Sequence, residues 1–258
     1  MNQVTSKDGT TIAYDQLGSG PAVILVSGGS VDRSSNAALA ALLAEHFTVF
    51  NYDRRGRGPS GDTQPYSVER EVEDIAAVVT AAGGPASLFG SSSGAALALE
   101  AAAQLTSITK LALWEPPYML DEAARPPADT AQTFHDLVAA GKRDEAAEYF
   151  MAKVVNLPPE FVASAKTQPF WQGQVALAHT LEYDATIMGD YSLPETRLAA
   201  VHIPTLVVNG SASFPFMPET ADAVARLVAG AQRVTLDGQQ HNVAAEALAP
   251  VLNTFFNG

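Results

Sequence analysis

Short apolar runs alternate with stretches of helical spacing along most of this chain. Continuous apolar runs are typical of strands buried on both faces of a parallel sheet. They predict strands at 22–26, 47–52, 88–89, 108–114, 204–208 and 233–236. The intervening segments predict helices at 36–45, 68–82 and 218–229, and two more that end near 103 and at 256. Asp8-Gly9 predicts a hairpin turn near the N-terminus.

The segment 116–200 interrupts this alternation. Prolines separate short stretches of helical spacing there, at 129–140, 144–155, 159–165 and 171–184, and no buried strand is predicted. We therefore expect an α/β core formed by 1–115 and 201–258, with a mostly parallel central sheet flanked by helices. Residues 116–200 are expected to form an inserted helical lid that covers the site.

Gly90-Ser-Ser-Ser-Gly94 lies between an apolar strand and an Ala/Leu-rich helix. This is a G-x-S-x-G pattern in the strand–turn–helix context that a nucleophile elbow requires. A serine on such a sharp turn needs neighbours without Cβ atoms. The two glycines select Ser92 among the three serines as the candidate nucleophile, and the N–H of Ser93 then points to where an oxyanion would form.

Composition narrows the function classes. The 258 residues carry 15 basic and 28 acidic side chains, a net charge of −13. An acidic surface disfavours binding to nucleic acid and to anionic membranes. There are no cysteines, so disulfides and thiolate zinc sites are excluded, and no His/Asp/Glu cluster has metal-ligand spacing. With no basic-then-apolar leader and no long apolar run, we expect a cytoplasmic protein.

The ordered set of motifs resembles the α/β-hydrolase family over nearly the whole chain. It comprises a strand ending in Ser27-Gly-Gly, the turn Asp53-Arg-Arg-Gly-Arg-Gly-Pro-Ser60, the elbow, the lid-like insertion, Ile203–Gly210 and Gly238-Gln-Gln-His241. The resemblance implies a Ser–acid–His triad in that chain order. It identifies Ser92 as the nucleophile and His241 as the general base. It also implies that the backbone amides of Gly29 and Ser93 form the oxyanion hole.

The acid departs from the usual family pattern. Relatives commonly place an aspartate after the strand that is here 205–208, and this chain has Ser213 at that position. Other relatives carry the acid at the end of the strand after the elbow helix, where this chain has Glu115. We expect Glu115 to be the triad acid. The alternatives are a Ser–His dyad, or an acid supplied by Asp184 or Asp190 of the insertion.

Further residues are expected to serve the site or the fold. Trp114, Tyr118, His179 and Phe214 are candidate substrate-binding residues. The Asp53–Ser60 turn looks at first like a phosphate site, but the resemblance makes it a structural turn held by ion pairs.

These residues predict a serine hydrolase that acts on a carboxylic ester, lactone or thioester and requires no cofactor. Two enzymatic alternatives keep the same residues: a cofactor-free perhydrolase and a C–C bond hydrolase. A third is a non-catalytic protein of this fold that binds a small molecule. The substrate is expected to be neutral and moderately hydrophobic, and the sequence does not indicate an oligomeric state.

Overall fold

An eight-stranded sheet forms the centre of the computed structural model, which describes residues 1–258. The strands are β1 Asn2–Thr5, β2 Thr11–Leu17, β3 Ala22–Val26, β4 Thr48–Tyr52, β5 Ala86–Ser91, β6 Ile108–Trp114, β7 Thr205–Gly210 and β8 Gln232–Leu236. Their spatial order is β1-β2-β4-β3-β5-β6-β7-β8. Strand β2 is antiparallel to both of its neighbours, and β3 to β8 are all parallel.

Helices cover both faces of the sheet, which explains why the central strands are apolar throughout. In β3, Val23 and Leu25 pack into one core cluster, whereas Ile24 and Val26 pack into the other. The first cluster lies under α1 and α11, and the second under α2, α3 and α10. These helices are α1 Ala37–Leu43, α2 Val68–Ala81, α3 Ser93–Gln104, α10 Met217–Leu227 and α11 Ala245–Asn257. The predicted α/β architecture is confirmed.

The chain between β6 and β7 forms only helices and connecting turns. The helices are α4 Thr130–Ala139, α5 Arg143–Tyr149, α6 Pro159–Ala165, α7 Trp171–Leu177, α8 Leu181–Met188 and α9 Glu195–Ala199. We call the chain from α4 to α9 the cap. No helix of the protein is both long enough and apolar enough to cross a lipid bilayer.

Two details of the cap differ from the sequence predictions. The helix predicted over 171–184 is instead two helices, α7 and α8, joined by a 3-10 turn at Ala178–Thr180. The Thr180 hydroxyl donates to the Leu177 carbonyl at 2.8 Å, a local bond that competes with continuous α-helical pairing. Helix α9 was not predicted, because a five-residue helix has too few turns to show a periodic pattern.

Glycines allow the β5–α3 turn to pack against the loop after β3. A Cβ atom on Gly94 would lie closer than 3.0 Å to the carbonyl oxygen of Ser27, and one on Gly90 would lie equally close to the carbonyl oxygen of Gly94. Both obstacles are backbone atoms, which cannot move aside as a flexible side chain can. The turn and the β3 loop are therefore held at backbone contact distance.

Replacing Gly94 with alanine should destabilise the protein, because the added methyl group overlaps the β3 loop. We expect a loss of about 1–3 kcal/mol in the free energy of unfolding, measured by urea denaturation. Gly173→Ala in α7 is the matched control, since a Cβ there meets nothing within 4 Å. It should be neutral or stabilising by about 0.5–1 kcal/mol. Equal effects of the two substitutions would refute the close-contact explanation.

Candidate active site

The carboxyl ends of the parallel strands bring the predicted site residues to one edge of the sheet. Ser92 follows β5, Glu115 follows β6, Ser213 lies in the loop after β7, and His241 lies in the loop after β8. The loop 27–30 follows β3 at the same edge. This edge is where open α/β sheets place their ligand sites.

Ser92 has the backbone conformation of a nucleophile elbow. Its φ is +54° and its ψ is −128°, a sparsely populated region for a residue with a Cβ atom. Its N–H donates to the Trp114 carbonyl at 2.9 Å, which ties the turn to the end of β6. The Ser92 side chain is partly exposed and makes no capping bond to α3. Its hydroxyl makes no hydrogen bond within the protein.

Glu115 and His241 form a short hydrogen-bonded pair. Glu115 Oε2 lies 2.6 Å from His241 Nδ1, and the carboxylate is fully buried. Ser213 Oγ donates to the same Oε2 at 2.7 Å, while the Gly210 N–H donates to Oε1 at 2.8 Å. A carboxylate only accepts, so His241 Nδ1 carries the proton and Nε2 is left as the basic nitrogen. Asp184 and Asp190, the alternative acids, make no contact with His241.

The loop that carries His241 is held from two sides. The Trp114 indole N–H donates to the His241 carbonyl at 2.9 Å. On the other side, the Ala212 N–H donates to the Gln239 carbonyl at 3.0 Å. A Cβ on Gly210 would overlap that same carbonyl, so the close approach of the two loops requires glycine there. These contacts limit the movement of the imidazole.

Backbone amides are available where an oxyanion hole is expected. The N–H of Gly29 donates no hydrogen bond within the protein. Ser93 is the first residue of α3, and the first N–H groups of a helix have no partner within it. A Cβ on Gly28 would lie 3.2 Å from the Ser92 Cβ, so the β3 loop runs directly beside the candidate nucleophile.

The four candidate substrate-binding residues occupy different places. The Phe214 ring lies 5.4 Å from the His241 ring, so this side chain is at the site. The Trp114 side chain is instead buried in the cluster under α1 and α11, and its indole N–H bonds the His241 backbone. Tyr118 is buried in the opposite cluster, and its burial raises the pKa of its phenol. His179 Nε2 lies 2.9 Å from the Gly56 carbonyl oxygen. The His179 side chain therefore helps to hold the cap on the core.

The arginines of the Asp53–Ser60 turn are paired with carboxylates. Arg54 makes two bonds of 2.7 Å to Glu71, and Arg55 makes two bonds of 2.7 Å to Asp74. With both forks occupied, the turn presents no free guanidinium pair to a phosphate. The structural interpretation of this turn therefore holds.

Comparison with known proteins identifies the family. A model of the alpha/beta hydrolase family matches residues 23–252. The chain belongs to the alpha/beta hydrolase family. An alpha/beta hydrolase from Sphaerobacter thermophilus DSM 20745 has 50% sequence identity and a TM-score of 0.93, with 99% of this chain and 100% of that one covered.

Two further relatives are more distant or matched over less of their length. The uncharacterized hydrolase YraK of Bacillus subtilis (strain 168) is 40% identical over 98 residues, 36% of this chain and 35% of that protein. A thermophilic esterase from Thermogutta terrifontis has 22% identity and a TM-score of 0.80, with 99% of this chain and 97% of that one covered. The esterase likeness shows the shared fold. Together the relatives support an enzyme of the hydrolase class.

His179 should make stability depend on pH. Burial, and after it the charge of Arg143, lowers the pKa of His179 below its ordinary value of about 6.5. As the pH falls, His179 is protonated in the unfolded chain before it is protonated in the folded chain. Its contribution to stability is therefore complete above about pH 6.5 and is lost at lower pH. We expect the Tm to decrease as the pH is lowered from about 7.5 to about 5.5. The decrease should be smaller in the His179→Gln variant. An unchanged pH dependence in the variant would contradict the assignment.

Proposed function

We propose that this protein is a serine hydrolase that cleaves a small carboxylic ester, lactone or thioester through an acyl-enzyme on Ser92. The observation that carries the proposal is the 2.6 Å contact between the buried Glu115 carboxylate and His241 Nδ1, at the sheet edge where Ser92 has its elbow conformation. Glu115 thereby serves as the acid that Ser213 cannot supply. The hydrolase relatives add support for the reaction class.

The reaction uses the three side chains in turn. Ser92 Oγ attacks the carbonyl carbon while its proton passes to His241 Nε2. The tetrahedral intermediate then expels the leaving group, which takes that proton, and the acyl group stays on Ser92. Water attacks the acyl-enzyme, gives one proton to His241 and releases the acid, and the proton returns to Ser92 Oγ. Glu115 stabilises the imidazolium in both halves.

The amides of Gly29 and Ser93 would stabilise the negative charge on the carbonyl oxygen. No hydrogen bond joins Ser92 Oγ to His241 Nε2 in the structure, and such catalytic bonds commonly tighten only when substrate is bound. Phe214 beside His241 provides an apolar surface for the acyl or leaving group. A neutral, moderately hydrophobic substrate fits that surface and the protein's net charge of −13.

Removing the Glu115 charge should abolish most of the activity. Glu115→Gln keeps the side-chain shape but no longer stabilises the imidazolium, so kcat for p-nitrophenyl acetate should fall by about 10²–10⁴-fold. Ser92→Ala should be inactive and should lose labelling by an organophosphonate probe. Unchanged kcat in Glu115→Gln would refute Glu115 as the acid.

An acid restored at position 213 should rescue the Glu115→Gln variant in part. Ser213 Oγ lies 2.7 Å from the Glu115 carboxylate oxygen that contacts His241, so an aspartate there is close to the imidazole. The double variant Glu115→Gln/Ser213→Asp should have a kcat about tenfold or more above that of Glu115→Gln. Ser213→Asn in the same background is the matched control and should give no rescue.

The same assays separate the other functions that these residues allow. Wild-type protein that is inert until Ser213→Asp is introduced would favour a non-catalytic binding protein. Acyl transfer to peroxide in preference to water would favour a perhydrolase. Cleavage of a β-diketone in the absence of any esterase activity would favour a C–C bond hydrolase.

A further inference from the structure

A buried charged cluster joins the cap to the turn that carries Ser92. Asp184 of α8 accepts hydrogen bonds from Arg54 Nη1 at 2.8 Å, from Arg57 Nη2 at 2.9 Å and from Ser93 Oγ at 2.8 Å. Both arginine side chains are completely buried, and Asp184 is nearly so. We call Asp184, Arg54, Arg57 and Ser93 the cap–elbow cluster.

The cap–elbow cluster touches both residues whose amides are proposed to form the oxyanion hole. Asp184 bonds the Ser93 hydroxyl directly. Its Oδ2 lies 3.2 Å from the position that a Cβ on Gly29 would occupy, so the carboxylate packs against the Gly29 backbone. Arg57 donates to the Gly28 carbonyl and to the Val31 carbonyl, the latter at 3.1 Å. Two carbonyls on either side of Gly29 are thus paired, while the Gly29 N–H stays free.

Together with Glu71, the charges of the cluster balance. Glu71 neutralises Arg54 through two bonds of 2.7 Å, and Asp184 bonds Arg57 through both of its oxygens. Burial raises the pKa of the Asp184 carboxyl, but Arg57 and Arg54 outweigh it and hold that pKa below its ordinary value. Two guanidinium groups therefore favour the charged form of this buried carboxylate.

Other contacts also hold the cap on the core. The Tyr183 ring, next to Asp184 in α8, stacks on Tyr66 with 4.0 Å between ring centroids. In α7, Gln174 exchanges two hydrogen bonds with Ser30 at the end of the β3 loop. Ser30 has a φ of +57°, so this loop position is itself strained. The cap therefore contacts the β3 loop from two helices.

We propose that Asp184 is a positioning residue that fixes the two oxyanion-hole amides, Gly29 N–H and Ser93 N–H, so that the hole is complete only when the cap is seated. This inference rests on the proposed hydrolase function. Preorganised donors stabilise a transition state only if they are held at the place where charge develops. A loosened cluster should therefore lower kcat and leave KM nearly unchanged, because the ester carbonyl of the ground state bears little charge.

The Ser93→Ala variant tests the link with the smallest change. It keeps the Ser93 backbone N–H and removes only the hydroxyl bond to Asp184. We expect kcat for p-nitrophenyl acetate to fall about tenfold, with KM unchanged. Affinity for phenylboronic acid, which forms a tetrahedral adduct with an active serine, should fall by the same factor.

Asp184→Asn is the stronger perturbation, and Asp74→Asn is its matched control. Both substitutions neutralise a buried carboxylate that pairs with an arginine of the same turn, but Asp74 bonds Arg55 and does not touch the β3 loop. Asp184→Asn should lower kcat and boronate affinity about tenfold to hundredfold. Asp74→Asn should lower the Tm while kcat and boronate affinity stay at wild-type values.

The outcomes separate this inference from the proposed function. A wild-type protein with no esterase activity and no phosphonate labelling refutes both. An active wild type whose kcat and boronate affinity are unmoved in Ser93→Ala refutes the positioning role alone, even if Asp184→Asn fails to fold. Parallel losses of kcat and Tm in Asp184→Asn and Asp74→Asn would likewise reduce Asp184 to a structural residue.

Discussion

The close contact between Gly94 and the Ser27 carbonyl sets the distance between the β5–α3 turn and the loop after β3. Any side chain at position 94 would separate them. Because the two segments touch through backbone atoms, the strained Ser92 and the first residue of α3 lie beside the loop that carries Gly29. The positions of those groups follow from packing in the core, before any substrate is present.

The pair of Glu115 and His241 shows how a carboxylate on one strand can reach a histidine two strands away in the sheet. Strands β6 and β7 are adjacent and parallel, so Glu115 at the end of one lies beside the loop that carries Ser213 from the other. A glutamate reaches one methylene further than an aspartate, and it can therefore bond His241 from the neighbouring strand. Ser213 then donates to this carboxylate instead of replacing it. Burial of Glu115 is tolerated because the Gly210 amide, the Ser213 hydroxyl and His241 all bond to its oxygens.

Sequence patterns predicted most of the fold because most strands and helices have a recognisable apolar pattern of their own. Ala22–Val26 and Pro159–Ala165 have the predicted bounds, since turn residues or prolines flank them. The candidate site followed from the elbow pattern and the family resemblance, and the parallel strands bring the residues after them to one edge. The break between α7 and α8 was not predicted; it falls where the Thr180 hydroxyl bonds the Leu177 carbonyl and His179 contacts the Gly56 carbonyl. Trp114 was expected at the substrate and is instead under the His241 loop, because alternation along β6 directs its side chain to the other face of the sheet.

The cap–elbow cluster could not be predicted from local patterns, since Arg54 and Asp184 are 130 residues apart in the chain. Burying two guanidinium groups has a large desolvation cost, which is offset only when every charge has a partner. Arg54 and Arg57 on the core and Asp184 on the cap therefore stabilise one another only when the cap is docked. Since these groups also bond the Ser93 hydroxyl and the carbonyls of the β3 loop, cap docking and the order of the candidate oxyanion hole depend on the same hydrogen bonds. A cap that has left the core would leave Arg57 without its carboxylate partner, and the loss of this ion pair favours the docked arrangement.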